Sequence, residues 1–191
     1  NVMPHESFTI LEDEIVAGRA PIATDSLEQA IFYKLRTSTI NELKDIYEIS
    51  EGLEHRFKQA ANYYGTLDEL RHNIKTKRYS LTRINRTLLY ILFNLSKNQI
   101  ARFDQYGPLY CHILGFSAKG QEILQRMKNI SQLRTFSRGS DIKQALEEDH
   151  NLVLSEMVSY DVLATDIYSL LFPDPAARKA GRDFTTAPVR V

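Results

Sequence analysis

The sequence predicts an all-α fold, a single compact multi-helix domain, and three observations carry that prediction. Apolar residues recur at three- and four-residue spacing through most of the chain, the signature of helices that bury one face. Ser, Thr and Gly residues punctuate these runs where helix caps are needed. At 191 residues and 43% hydrophobic, the chain has enough apolar surface for one real core. Two stretches stand apart. Leu109–Phe116 (LYCHILGF) is an apolar run too short to separate a strand from an irregular buried segment. The tail, residues 173–191, is broken by Pro173, Pro175, Gly181 and Pro188 and reads as extended, with Phe184 and Val189 as its anchors. The expected organisation is therefore a helical domain over residues 1–172 followed by an extended tail.

In chain order, Ser7 to Ala17 has helical spacing through Phe8, Leu11 and Ile15, and Gly18 stops it. Ser26 is positioned to cap a helix running to Arg36 that buries Leu27, Ile31, Phe32 and Leu35. Thr39 caps a short helix with Leu43 inward, and a further helix from Glu51 places Leu53, Phe57, Ala60 and Ala61 on one face. Thr66 opens the next, with Leu67, Leu70 and Ile74 inward. Ser80 or Thr82 caps the central helix, whose stripe is Ile84, Leu88, Ile91, Leu92 and Leu95. Ile100 and Phe103 mark one more helix before the breaker pair Gly107-Pro108. Ser117 caps a helix expected to bury Ile123, Leu124 and Met127; the Gly115–Gly120 loop ahead of it is a weak anion-cradle candidate. Gln132 to Ser140 reads as loop. From Ser140-Asp141 the chain is helical again, with a seam through Val153, Met157, Tyr160, Ala164, Ile167 and Leu171.

Charge is balanced overall, 24 basic against 24 acidic residues, but it is segregated along the chain. From Leu70 to Phe103 there is no Asp or Glu, while the window holds Arg71, Lys75, Lys77, Arg78, Arg83, Arg86, Lys97 and Arg102. Lys75, Lys77 and Arg78 form a cationic knot just ahead of the central helix, with Tyr79 beside them. Such a cluster serves phosphate, because Lys and Arg release the counterions of a polyanion; it serves equally as solvated helix surface.

Several chemistries lack their residues. No Walker-type loop, GxGxxG after a strand or GxSxG elbow occurs, so no catalytic residue is assigned. The five histidines are never spaced as a ligand pair, and Cys111 and His112, being adjacent, point apart, so no metal site is assigned. Glu147, Glu148 and Asp149 read as a solvated helix face rather than an acid–base pair. A lone cysteine and no secretory leader favour the cytoplasm, and no apolar run is long enough to span a membrane.

Three segments carry a resemblance: SEGLEHRFKQAA (Ser50–Ala61), KTKRYSLTRINRTLLYIL (Lys75–Leu92) and LGFSAKGQEIL (Leu114–Leu124). Their order resembles the C-terminal helical region of the bacterial tRNA(Met) cytidine acetate ligase family. The TKRY-x-x-TRI-x-R run (Thr76, Lys77, Arg78, Tyr79, Thr82, Arg83, Ile84, Arg86) is its most specific piece. Family members carry an N-terminal nucleotidyltransferase-like domain with a HIGH-type histidine motif, which uses ATP and acetate to acetylate a wobble cytidine. No HxGH motif occurs in these residues. The resemblance therefore implies an accessory helical domain that binds tRNA, its catalytic domain lying outside this sequence and its ATP with it. On that reading no cofactor belongs to these residues, and the partners are tRNA and the catalytic domain of the same chain. Lys75, Lys77, Arg78, Arg83 and Arg86 become phosphate contacts, Arg for its forked donors, and Tyr79 a base-stacking candidate beside a packing role. Two alternatives use the same residues: a basic lid over the nucleotide site of the other domain, or a dimerisation or domain-packing module without RNA contact.

Overall fold

The structure, a computed structural model, describes residues 3–147 and 152–191, with the side chains of Thr24 and Lys128 left aside. Glu148 and Asp149 lie outside the described residues, while Glu147 is exposed at the end of its helix. The chain divides into two compact units, Asn1–Ala101 with Leu171–Ala177, and Arg102–Leu170 with Arg178–Val191.

The first unit is helical: α1 (His5–Val16), α2 (Glu28–Thr37), α3 (Ile40–Asp45), α4 (Leu53–Tyr63), α5 (Leu67–Ile74), α6 (Leu81–Phe93) and the first turns of α7 (Lys97–Tyr106). The expected stripes meet in its core, where Leu35, Ile49, Leu53, Phe57, Ala61, Leu70, Ile74, Ile84 and Ile91 are fully buried. Helix ends are closed as well by side chains reaching across. Lys58 of α4 donates to the carbonyls of Leu35, Arg36 and Ser38 at the end of α2, and Arg36 of α2 donates to Ala61 O (2.8 Å) and Tyr64 O (3.4 Å) at the end of α4. A basic side chain at a helix C-terminus satisfies carbonyls left without intrahelical partners and complements the negative end of the dipole. Thr39 forms a full capping box with Glu42, whose carboxyl is held below its usual range chiefly by the Thr39 backbone N–H. The Ser26 cap is not formed: Thr24–Leu27 winds as a 3-10 turn, and α2 begins at Glu28 without a side-chain cap. Glu28 instead accepts the Leu67 N–H at 2.7 Å and so helps to cap α5. The α1 stripe forms but buries nothing, with Phe8 and Ile15 about half exposed.

The second unit corrects the all-α expectation to a mostly helical α/β arrangement with small parallel sheets. Strand β1 (Tyr110–His112) pairs in parallel with β3 (Arg134–Phe136), Cys111 facing Thr135. Strand β2 (Gly115–Phe116) pairs in parallel with β4 (Val189–Arg190). The Leu109–Phe116 run thus supplies two strands, and Gln132–Ser140, read as loop, contains a third. The tail is not simply extended, since it holds a 3-10 turn (Pro175–Ala177), α11 (Arg182–Thr185) and β4. Strands of two or three residues are too short to show alternation, and parallel partners are remote in sequence, so neither leaves a local pattern.

Helices α8 (Ala118–Ile130), α9 (Gly139–Glu147) and α10 (Leu152–Ser169) complete this unit. Its core is Phe136, Ile142, Ala145, Leu154 and Val158, with Phe184 of the tail packed against it. The α10 face is therefore Leu154 and Val158, one position on from the expected Val153 and Met157, which are only partly buried. On α8, Ile123 is 55% exposed and Leu124 and Met127 are half-buried. Ser117 caps α8 as expected, but its hydroxyl and carbonyl take the Gly120 and Gln121 N–H groups, while Gly115 lies against Val189, which removes the anion cradle.

Candidate nucleic-acid interface at the entrance of α6

Ser80 starts α6 by accepting the Arg83 N–H at 3.3 Å. Replacing Ser80 with Ala removes that bond and is expected to lower stability by about 1 kcal/mol, read as a fall in the urea midpoint; an unchanged midpoint would show the cap to be idle. Ile84, Leu88 and Ile91 seat the helix, and Leu92 of the expected stripe is only partly buried. Residues 76–79 form a tight turn, with Thr76 N–H donating to Tyr79 O and Tyr79 N–H to Thr76 Oγ1. That turn holds the cationic knot at the start of α6.

The predicted contacts are in one neighbourhood, but they are not alike. Lys75 and Lys77 are exposed, and among the described residues no hydrogen bond or ion pair engages their side chains. Arg78 is 61% exposed and ion-paired with Glu51. Arg86 makes a two-pronged pair with Glu48, at 3.1 and 2.5 Å, which raises its pKa, first through the hydrogen bond and then through the neighbouring charge. Arg83 is half-buried and faces backbone, donating to Glu48 O at 3.0 Å and Ser50 Oγ at 3.4 Å. Tyr79 is only 4% exposed, its ring 5.1 Å under the Arg83 guanidinium and its hydroxyl donating to Ser50 O. It packs, and the base-stacking role is corrected: a ring closed off from solvent offers no face to a base.

The carboxylate-free window is free of carboxylates in sequence only. Folding brings Glu48 to Arg86, Glu51 to Arg78, Asp25 and Asp68 to Arg71, and Glu156 to Arg102, while Lys97 donates to Lys44 O. Sequence reasoning missed Glu48 and Glu51 as partners, which lie far from the cationic run along the chain and carry no local signal of the pairing. What remains is a ridge of exposed cations, Lys75, Lys77, Arg78 and Arg86, whose two arginines are paired with Glu51 and Glu48.

Elsewhere, a cavity of about 140 Å³ in the second unit is lined by polar and apolar side chains alike, among them His112, Leu114, Arg138, Thr165, Asp183 and Pro188. Among the described residues no group of three or more His, Cys, Asp or Glu side chains is placed to hold a metal ion. No described helix is long and apolar enough to cross a membrane.

The sequence model of the HIGH Nucleotidyl Transferase family matches residues 1–183. The chain belongs to that family. The HIGH nucleotidyl transferase match overturns the assignment of these residues to a C-terminal accessory region whose nucleotidyltransferase-like part lies elsewhere. With it falls the lid over a separate domain. Three matching segments and a missing HxGH motif point to an accessory region, whereas the family model matches residues 1–183. Among similar proteins, tRNA(Met) cytidine acetate ligase of Syntrophomonas wolfei is 64% identical over 94% of this chain and 43% of its own length. The ligase of Halothermothrix orenii is 40% identical over 93% of this chain and 42% of its own. The crystal structure of Thermotoga maritima TmcAL bound with alpha-thio ATP superposes with a TM-score of 0.92 at 33% identity, over 98% of this chain and 46% of that one. The chain thus spans less than half the length of these relatives.

Proposed function

We propose that this chain serves ATP-dependent joining of acetate to a cytidine of tRNA(Met), and that the ridge of Lys75, Lys77, Arg78 and Arg86 contacts tRNA phosphates. The 64% identity to a tRNA(Met) cytidine acetate ligase over 94% of the chain carries the activity. The alpha-thio ATP in the Thermotoga maritima structure supports ATP as the energy source. The ridge supports the contact: its two lysines are exposed and its two arginine forks suit phosphate oxygens. Arg83 and Tyr79 take a different part, fastening the segment that carries Glu48 and Ser50 against α6.

Phosphate contact has a characteristic salt dependence, since each neutralised phosphate releases close to one counterion. Wild-type protein is expected to bind a tRNA(Met) transcript with affinity falling steeply as salt rises. Lys77→Ala with Lys75→Ala should weaken binding and flatten the log–log slope by about 2. Salt-independent binding, or a slope untouched by both substitutions, rejects the ridge. Absence of ATP-dependent transfer of labelled acetate to tRNA(Met) by the full protein rejects the activity.

A further inference from the structure

The segment between α3 and α4 has an unusual backbone. Glu48 (φ 62°), Glu51 (φ 57°) and Gly52 (φ 84°) are all left-handed within five residues. Glycine adopts that conformation freely, but a residue with a Cβ is disfavoured there, and such outliers gather where local geometry serves a task. Both glutamates carry the two carboxylates that engage the ridge, Glu48 on Arg86 and Glu51 on Arg78. Arg83 holds the same segment through the Glu48 carbonyl at 3.0 Å, and Tyr79 holds Ser50 O. The segment is therefore fastened by Arg83 and Tyr79, and two carboxylates reach out from it, Glu51 half-exposed and Glu48 20% exposed.

We propose that Glu48 and Glu51 are self-ligands of the ridge, carboxylates that occupy the guanidinium fork of Arg86 and a terminal nitrogen of Arg78 until RNA phosphates displace them. The proposal rests on the tRNA-contact reading above and specifies how that surface is gated. A guanidinium fork donates to two oxygens of a carboxylate or of a phosphate in the same geometry, so the Glu48 pair marks where a phosphate sits. The Arg78 and Glu51 side chains are 61% and 50% exposed, and an ion pair so wet is weakly held and readily exchanged. A polyanion arriving at Lys75 and Lys77, which lie beside Arg78, competes for both forks at high local concentration. On displacement the two carboxylates move into water, while Arg83 keeps the segment attached. The glutamates thus raise the threshold for binding, so that isolated anions are refused and a strand with several phosphates is accepted.

The test is tRNA(Met) transcript binding at low salt, with wild-type protein, Glu48→Gln/Glu51→Gln, and Glu12→Gln/Asp13→Asn as an equal charge change on exposed residues of α1. Removing the self-ligands is expected to tighten binding about tenfold, and the α1 pair to change it less than about twofold. The gain should vanish in an Arg78→Ala/Arg86→Ala background. In wild-type protein, amide hydrogen exchange over residues 46–52 should quicken on adding tRNA; this readout needs no variant to fold. Wild-type binding with glutamine variants within about twofold of it, a gain that survives loss of the arginines, or slowed exchange over 46–52 overturns the self-ligand proposal and leaves the tRNA reading standing. Failure of wild-type protein to bind the transcript overturns both.

Discussion

Gly139→Ala is expected to destabilise the second unit by about 3 kcal/mol, at the upper end of the cost of overpacking. A Cβ built on Gly139 would stand 2.1 Å from the Phe184 carbonyl oxygen and 2.5 Å from its carbon, atoms of backbone that cannot rotate aside. The only relief is separation of α11 from α9, and that withdraws the Phe184 ring from the Phe136–Ile142–Val158 core. The measurement is the urea midpoint together with the rate of proteolysis within residues 178–191, both of which should worsen. Gly120→Ala is the control: its methyl would lie 3.3 Å from the Phe116 Cβ, on a helix where Ala is otherwise preferred, so only a small change is expected. Equal effects from the two substitutions would show that the Phe184 approach is not a constraint.

Leu88→Ala should cost the first unit about 3 kcal/mol, within the range for a leucine deleted from a closed core. Leu88 is 1% exposed on the buried stripe of α6, and its neighbour Leu89 is 41% exposed. Leu89→Ala should therefore stay within about 0.5 kcal/mol of wild type. Adjacent leucines on one helix then separate burial from helix propensity, because propensity is the same for both. A further consequence concerns the ridge. Arg83 and Arg86 leave α6 within a turn and a half of Leu88, so a helix loosened at Leu88 should bind tRNA less tightly at temperatures where the protein remains folded. Similar midpoints for the two variants would mean that α6 is not seated by this stripe.

Much of the first unit was legible in the sequence, because its elements carry their own signals. Thr39, Thr66 and Ser80 sit where a side-chain oxygen is needed, and each accepts the N–H expected of a cap, as Ser117 does in the second unit. Phe57, Leu70 and Ile84 fall on apolar stripes and are buried for that reason. Ser26 does not cap because Thr24–Leu27 winds as a 3-10 turn, which moves the start of α2 to Glu28. The second unit was less legible. Its two sheets join Tyr110 to Arg134 and Gly115 to Val189, pairings across long separations that no local period records.

The candidate site divides in the same way. Sequence by itself determined that Lys75, Lys77, Arg78, Arg83 and Arg86 cluster at one helix entrance, since helical spacing and a tight turn are local properties of a few residues. Only the tertiary structure decided what those charges meet. Glu48 and Glu51 lie in the distant segment ahead of α4, where both have left-handed backbone, and they meet Arg86 of α6 and Arg78 just ahead of it. It also decided that Tyr79 faces inward beneath Arg83. Charge acts through space, so a run free of acids along the chain becomes, once folded, a set of arginines partly neutralised by acids from elsewhere.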